Sequence, residues 1–189
     1  LTSSSIAKTT VVPDASPFVT FPYSSMFHLE AAYPPKLIWE ARNLLSMQLG
    51  IGKGKPVNLF ASSSLVPSMQ TVDMSSWKPN RVRYVLEDLA PYMNAQGFGT
   101  VLFNWAASYQ YSSSRSPVTQ RGTFSVQVTD LGITTRYAYN RILVWVNSLS
   151  TGKPVAGASV VVEDITNASE LRATTGKDGL ALIELKPGQ

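Results

Sequence analysis

The chain has 189 residues with a formal net charge of +4, from 16 lysines and arginines against 12 aspartates and glutamates. Its hydrophobic content of 44% suffices for one large buried core or two small ones. With no cysteine, disulfides, thiolate metal sites and cysteine nucleophiles are excluded, although the compartment stays open on that count. The basic residues are scattered rather than blocked, which argues for solubility over a nucleic-acid or membrane-surface patch. Apolar runs such as Val160-Val-Val162 fall far short of the roughly 20 residues that span a bilayer, and Leu1-Thr-Ser-Ser-Ser-Ile-Ala-Lys8 lacks signal-peptide layout.

Residues 1–20 are rich in Ser, Thr, Pro and Val without a clean period and read as a linker or tail. A body begins at Phe21. Met26-Phe-His-Leu29 and Lys36-Leu-Ile-Trp-Glu-Ala-Arg42 are predicted strands separated by Tyr33-Pro-Pro35, while residues 37–49 fit either a strand or a helix. Gly50-Ile-Gly-Lys-Gly-Lys-Pro56 is predicted to be a loop, because three glycines and a proline in seven residues disfavour regular structure. Residues 80–89 predict a half-buried strand with Val82, Tyr84 and Leu86 on the inner face and Arg81, Arg83 and Glu87 outside. Gly99-Thr-Val-Leu-Phe-Asn-Trp105 reads as a sheet-centre strand, residues 108–116 as a Tyr/Ser-rich loop, and a domain junction is placed at residues 117–122.

Beyond it, Phe124, Val126 and Val128 alternate with polar residues, as do Ile142, Val144 and Val146 with their neighbours. Gly152-Lys-Pro154 and Lys177-Asp-Gly179 supply turn chemistry, and Val160, Val162 and residues 180–185 add further strands. Short strands at regular spacing predict antiparallel β-sandwiches, so the chain reads as all-β with domains at 21–120 and 121–189. The second core is expected to contain Phe124, Leu131, Val144, Trp145 and Leu182.

Candidate chemistry is sparse. His28 is the only histidine, and between Phe27 and Leu29 a structural role outweighs that of base or ligand. No Gly-x-Ser-x-Gly elbow exists for a serine nucleophile. Gly50 and Gly54 enclose three residues rather than the four of a phosphate loop, and Lys55 precedes Pro56 where a metal-binding hydroxyl belongs. Glu163 with Asp164 reads as a solvated strand end, so no metal, cofactor or catalytic residue is expected. Arg81, Arg83, Trp77 and Tyr84 resemble a single-strand nucleic-acid surface, but alternation sends Tyr84 away from the arginines, and no nucleic-acid partner is expected. Asn167-Ala-Ser169 is a glycosylation sequon, meaningful only in a eukaryotic secretory pathway.

Residues 121–134, Arg-Gly-Thr-Phe-Ser-Val-Gln-Val-Thr-Asp-Leu-Gly-Ile-Thr, carry a Thr129-Asp-Leu-Gly132 strand start. They are followed by Leu143-Val-Trp-Val-Asn-Ser-Leu-Ser-Thr-Gly-Lys-Pro-Val-Ala-Gly-Ala158 and Thr175-Gly-Lys-Asp-Gly-Leu-Ala-Leu-Ile-Glu184. In this order they resemble the bacterial α2-macroglobulin family. Upstream, Arg83-Tyr-Val-Leu-Glu-Asp-Leu-Ala-Pro91 and Gly97-Phe-Gly-Thr-Val-Leu-Phe103 resemble the end of a preceding macroglobulin-like domain. The resemblance implies two tandem macroglobulin-like sandwiches, the second without its last strand, excised from a longer periplasmic or membrane-anchored lipoprotein that traps proteases after they cut a bait segment. It implies proteases as partners of the parent, neighbouring macroglobulin-like domains as partners of this segment, no direct membrane insertion and no enzyme activity. The family's thioester needs a cysteine, which this chain lacks. The rival reading is an adhesive or carbohydrate-binding module that stacks ligand on Trp77, Trp105, Tyr109 and Tyr111.

Overall fold

The computed structural model describes residues 15–21, 26–54, 67–111, 116–163 and 169–185. Thirteen strands and one 3₁₀ turn, Ala90–Tyr92, account for the regular structure among them. The chain divides into two compact units, one of Leu1–Leu29 with Pro34–Val128 and one of Glu30–Tyr33 with Thr129–Gln189.

In the first unit, β1 (Phe18–Thr20), β3 (Lys36–Arg42) and β6 (Arg83–Asp88) form one sheet in the order β1-β3-β6. The other sheet has the order β2-β8-β7-β4-β5, with β2 Met26–Glu30, β4 Leu44–Lys53, β5 Gln70–Thr71, β7 Gly99–Tyr109 and β8 Val118–Thr129. Alternation along β3 buries Leu37, Trp39 and Ala41, which meet Met47, Val101, Phe103, Phe124 and Val126 from the larger sheet. Phe103 and Phe124 are opposite each other in register and stack with centroids 4.6 Å apart, while Phe21 packs on Trp39, Trp105 and Phe124. Gly122 is required here, since a Cβ would lie 2.7 Å from Trp105 Nε1.

The second unit pairs β9 (Leu131–Ala138), β10 (Arg141–Ser148) and β13 (Leu180–Glu184) in the order β13-β10-β9, and separately β11 (Ser159–Glu163) with β12 (Glu170–Thr174). Ile142, Val144, Val146, Ala181 and Ile183 are its buried residues, with Val160, Val162, Leu171 and Ala173 packed against them. Nearly all-β architecture in several sheets, as the strand spacing predicts, is therefore what the chain adopts.

Several local expectations change. Residues 37–49 form two strands joined at Asn43, which takes φ 54° and is held from three sides. Its Oδ1 accepts from Asn80 N at 2.8 Å, and its Nδ2 donates to Ala15 O and Asn80 Oδ1. The glycine-rich stretch expected to be a loop is strand as far as Lys53. Its glycines serve close approach rather than turning: a Cβ on Gly50 would meet the carbonyl oxygens of Pro67 and Ser68 at 2.7 Å. Lys55 and Pro56 lie outside the described residues, as do residues 1–14 of the expected linker, residues 112–115, Asp164, Asn167 and residues 186–189. Within that expected linker, Phe18–Thr20 is strand, paired with Glu40–Arg42.

The face of β6 is inverted relative to expectation. Tyr84 and Leu86 point outward with Ile38, while Val85 and Glu87 face in, because register sets Val85 opposite the buried Trp39 and Glu87 accepts the Trp39 indole N–H at 3.0 Å. At the junction expected near residues 117–122, β8 runs unbroken, and the division falls at Val128/Thr129.

The second core also differs from the expected set. Phe124 is buried in the first unit, and of the other four only Val144 is buried, at 2% exposed. Trp145, Leu131 and Leu182 are 38%, 43% and 48% exposed. Trp145 and Leu182 are one residue out of phase with the inward Val144, Val146, Ala181 and Ile183, and a strand alternates its faces at every residue. Leu131 lies on edge strand β9, whose residues are nearly all exposed.

Candidate functional site

The three motifs that carry the family resemblance are corners of the second unit, tied by hydrogen bonds. In Thr129-Asp-Leu-Gly132, the Asp130 carboxylate accepts from Ser148 Oγ at 2.7 Å and from Ser150 N at 2.8 Å, and the Asp130 carbonyl accepts Leu149 N at 2.7 Å. The Ser148 hydroxyl, then the Ser150 N–H, hold the Asp130 carboxyl below the ordinary aspartate range by favouring its charged form. Gly132 leaves the room this turn needs, since a Cβ would sit 2.7 Å from Asn147 Oδ1.

Thr151-Gly-Lys-Pro-Val-Ala-Gly-Ala158 is held to β10 by Val155 N to Val146 O, 2.9 Å, and turns twice at positive φ, Gly152 at 68° and Gly157 at 76°. The buried Thr175 hydroxyl then donates to Val155 O at 2.6 Å and accepts Ala158 N at 2.8 Å, closing the layer. Gly179, at φ 75°, packs so that a Cβ would be 2.4 Å from Val146 O and 2.9 Å from Pro154 Cβ. These residues fix strand connections.

The residues weighed for chemistry are dispersed. His28 is exposed on β2, and the described residues contain no group of three His, Cys, Asp or Glu able to hold a metal ion. Glu163 stands opposite Glu170, which pairs with Arg172 on its own strand. Trp77 leans on Trp39 at 6.2 Å against the first core, whereas Arg81 and Arg83 are exposed. The aromatic residues considered for ligand stacking do not form a platform. Tyr109 is buried, which pushes its phenol pKa up, and meets the exposed Tyr111 edge-on at 5.3 Å. Trp105 and Trp77 are half-buried in the first core. An open cleft of about 320 Å³ in the first unit, lined by Leu49, Ile51, Gln70, Thr71 and Tyr92 among others, gathers no titratable cluster.

What the sequence reading missed is an exposed apolar face on the second unit. Leu143 pairs with Leu182 and Trp145 with Leu180 on the outer side of the β13-β10-β9 sheet, all four exposed, with Arg136 beside Leu143 on β9. The signal was present in β10, where Leu143 and Trp145 alternate with Ile142, Val144 and Val146, so both faces are apolar. Among the described residues no helix is long and apolar enough to cross a membrane.

Strand-built units whose distinctive residues are hydrogen-bonded corners define a class of β-sandwich scaffold modules. Residues 128–189 match the model of the bacterial alpha-2-macroglobulin MG3 domain. The chain as a whole is similar in fold to native alpha-2-macroglobulin from Escherichia coli spanning domains NIE-MG1, at TM-score 0.61 and 16% identity over 93% of this chain and 90% of that one. It is also similar to the E. coli structure spanning MG0-NIE-MG1 (TM-score 0.59, 18% identity, 92% of this chain and 59% of that one). A mutant Salmonella alpha-2-macroglobulin gives TM-score 0.57 and 18% identity over 92% of this chain and 11% of that one. A comparison with curated proteins found no match. Residues 128–189 thus resemble a macroglobulin-like domain of bacterial alpha-2-macroglobulin, and the likeness of the whole chain to the solved structures establishes the fold.

Proposed function

We propose that this chain is a scaffold segment of a bacterial α2-macroglobulin-type protein that traps attacking proteases, acting in the periplasm or outside the cell within a membrane-anchored lipoprotein parent. The observation that carries the reading is the family match over residues 128–189, in which the matching motifs are the tied corners of a sandwich. The segment itself has no catalytic role. Its partners are neighbouring macroglobulin-like domains of the same parent and, through that parent, proteases; nucleic acid is not among them. Interlocked sheets resist local opening, so such modules can frame a cavity or transmit a rearrangement that follows cleavage elsewhere. Any thioester of the parent lies outside this chain, which has no cysteine.

The test is to mix the full-length parent with a serine protease and compare hydrolysis of a small chromogenic substrate with inhibition by a macromolecular inhibitor. Trapping predicts that the small substrate is still cleaved while the large inhibitor is shut out. A bound protease that stays fully open to the large inhibitor would sink the proposal.

A further inference from the structure

The first strand of the first unit is tied down at its entrance by side chains. β1 is an edge strand that pairs with β3 at three positions, Phe18 with Arg42, Val19 with Ala41 and Thr20 with Glu40. Just ahead of that ladder, the Ser16 carbonyl accepts Arg42 Nε at 3.0 Å and Arg42 Nη2 at 2.9 Å, and the Ala15 carbonyl accepts Asn43 Nδ2 at 2.8 Å. The same guanidinium lies 4.9 Å over the Phe18 ring. Arg42 thus directs its charge to a main-chain carbonyl and a ring of the strand it faces.

The corner that makes these ties is strained. Asn43 at φ 54° and Asn80 at φ 59° are the non-glycine residues at positive φ among the described residues. They bond each other twice, Asn43 Nδ2 to Asn80 Oδ1 at 3.0 Å and Asn80 N to Asn43 Oδ1 at 2.8 Å. Left-handed backbone is unfavourable for a residue with a Cβ and persists where its surroundings over-determine it. The Asn43 amide does so by joining Ala15 to Asn80.

The far end of the same segment is attached by other means. Phe21 packs on Trp39, Trp105 and Phe124 with centroids 5.5, 5.2 and 4.9 Å away. Water competes readily for the exposed Arg42 bonds and the half-buried Asn43 bonds, whereas withdrawing Phe21 opens an aromatic cluster. Lifting Ala15–Thr20 alone exposes the buried Pro17 and the half-buried Phe18 and Val19 and leaves that cluster closed.

We propose that Ala15–Thr20 is a strap that opens as a unit on an otherwise folded first unit, with Arg42, Asn43 and Asn80 as its latch and Phe21 as its fixed end. Opening lifts β1 and bares one edge of β3, while the β3–β6 ladder stays closed. The strap converts release of the chain at Ala15 into exposure of a strand edge, a conformational device contained in this unit. The inference does not depend on the protease-trapping reading.

The experiment is NMR-detected hydrogen exchange on the 189-residue protein. β3 carries its own control, because its backbone groups bond alternately to β1 and to β6. The expected result is that amides bonding across β1 and β3 exchange at least about tenfold faster than those across β3 and β6 and those of Val101 and Phe103 in β7. Arg42→Gln removes the fork, and Asn43→Gly removes the amide while accepting the positive φ. Each is expected to speed exchange across β1 and β3 by about tenfold more and to leave the other two sets unchanged. Phe21→Ala, in contrast, speeds all three sets because it weakens the shared core. The proposal is overturned if amides across β1 and β3 exchange no faster than those across β3 and β6, if either latch variant leaves them unchanged, or if the latch variants speed all three sets alike. It is equally overturned if Phe21→Ala acts on the β1–β3 amides alone, since Phe21 then leaves with the strap.

Discussion

In the first unit a three-stranded sheet faces a five-stranded one across Trp39, Phe103 and Phe124, whereas in the second a three-stranded sheet faces two strands across Ile142, Val144 and Ile183. The larger pairing lets aromatic side chains from both sheets interlock, with Phe21 touching three other rings. The smaller pairing closes over aliphatic side chains only and relies on polar corners at Asp130, Thr175 and Gly179 to hold its connections. The difference teaches that stability is carried in two ways along one chain: by buried ring area in the first unit, and in the second by backbone ties around an aliphatic core.

The contrast is broken most forcefully by Phe103→Ala. Removing a fully buried ring that stacks on Phe124 is expected to cost the first unit about 3–5 kcal/mol. Urea unfolding followed by tryptophan fluorescence in a Trp145→Phe background reports this unit alone, because the other three tryptophans lie in it. Amide signals of Arg141–Ser148 should keep their positions; a collapse of both sets together would show that the units do not behave separately.

Gly179→Ala is the counterpart in the second unit. It places a Cβ against Val146 O at a positive φ, so a loss of about 2 kcal/mol is expected in the denaturation midpoint of that unit. An unchanged midpoint would refute the view that this corner is tightly held.

A smaller effect is expected from acid. The Asp130 carboxyl titrates below its unfolded value of about 3.9, so its contribution is complete above that pH and fades as pH falls through the folded value. Asp130→Asn should lower the thermal midpoint at pH 7 and flatten the acid dependence of the second unit. Parallel acid profiles for wild type and variant would rule the clamp out. Smallest of all, Leu182→Thr on the outer face should change stability by less than about 0.5 kcal/mol, measured by the same denaturation.

How much was legible in advance varies with how local the cause is. The strands at 36–42 and 142–146 follow from period-two patterning, that at 99–105 from β-branched and aromatic content on both faces, and the turns at Gly152 and Gly179 from glycine's access to positive φ. Which face is buried was less accessible. On β6 both faces offer apolar residues, and only the pairing of Val85 with Trp39 turned Tyr84 outward. On β10 the same ambiguity concealed the exposed Leu143 and Trp145. As for the candidate site, the sequence marked Thr129-Asp-Leu-Gly132 as distinctive without revealing that its aspartate clamps a turn eighteen residues away.

The amino-acid order by itself therefore determined the all-β class, the positions of most strands and turns, and the lack of any thiol chemistry, because each of these depends on a residue and its immediate neighbours. Tertiary structure alone decided that Gly50 and Gly52 belong to a strand, that Phe124 serves the first core and not the second, and that Ile133 and Tyr137, beside the buried Val146 and Ile142, stay exposed. Those outcomes depend on which distant segment arrives opposite, whether the backbone at Pro67 and Ser68 or an opposing sheet of two strands, and local patterning carries no record of that choice.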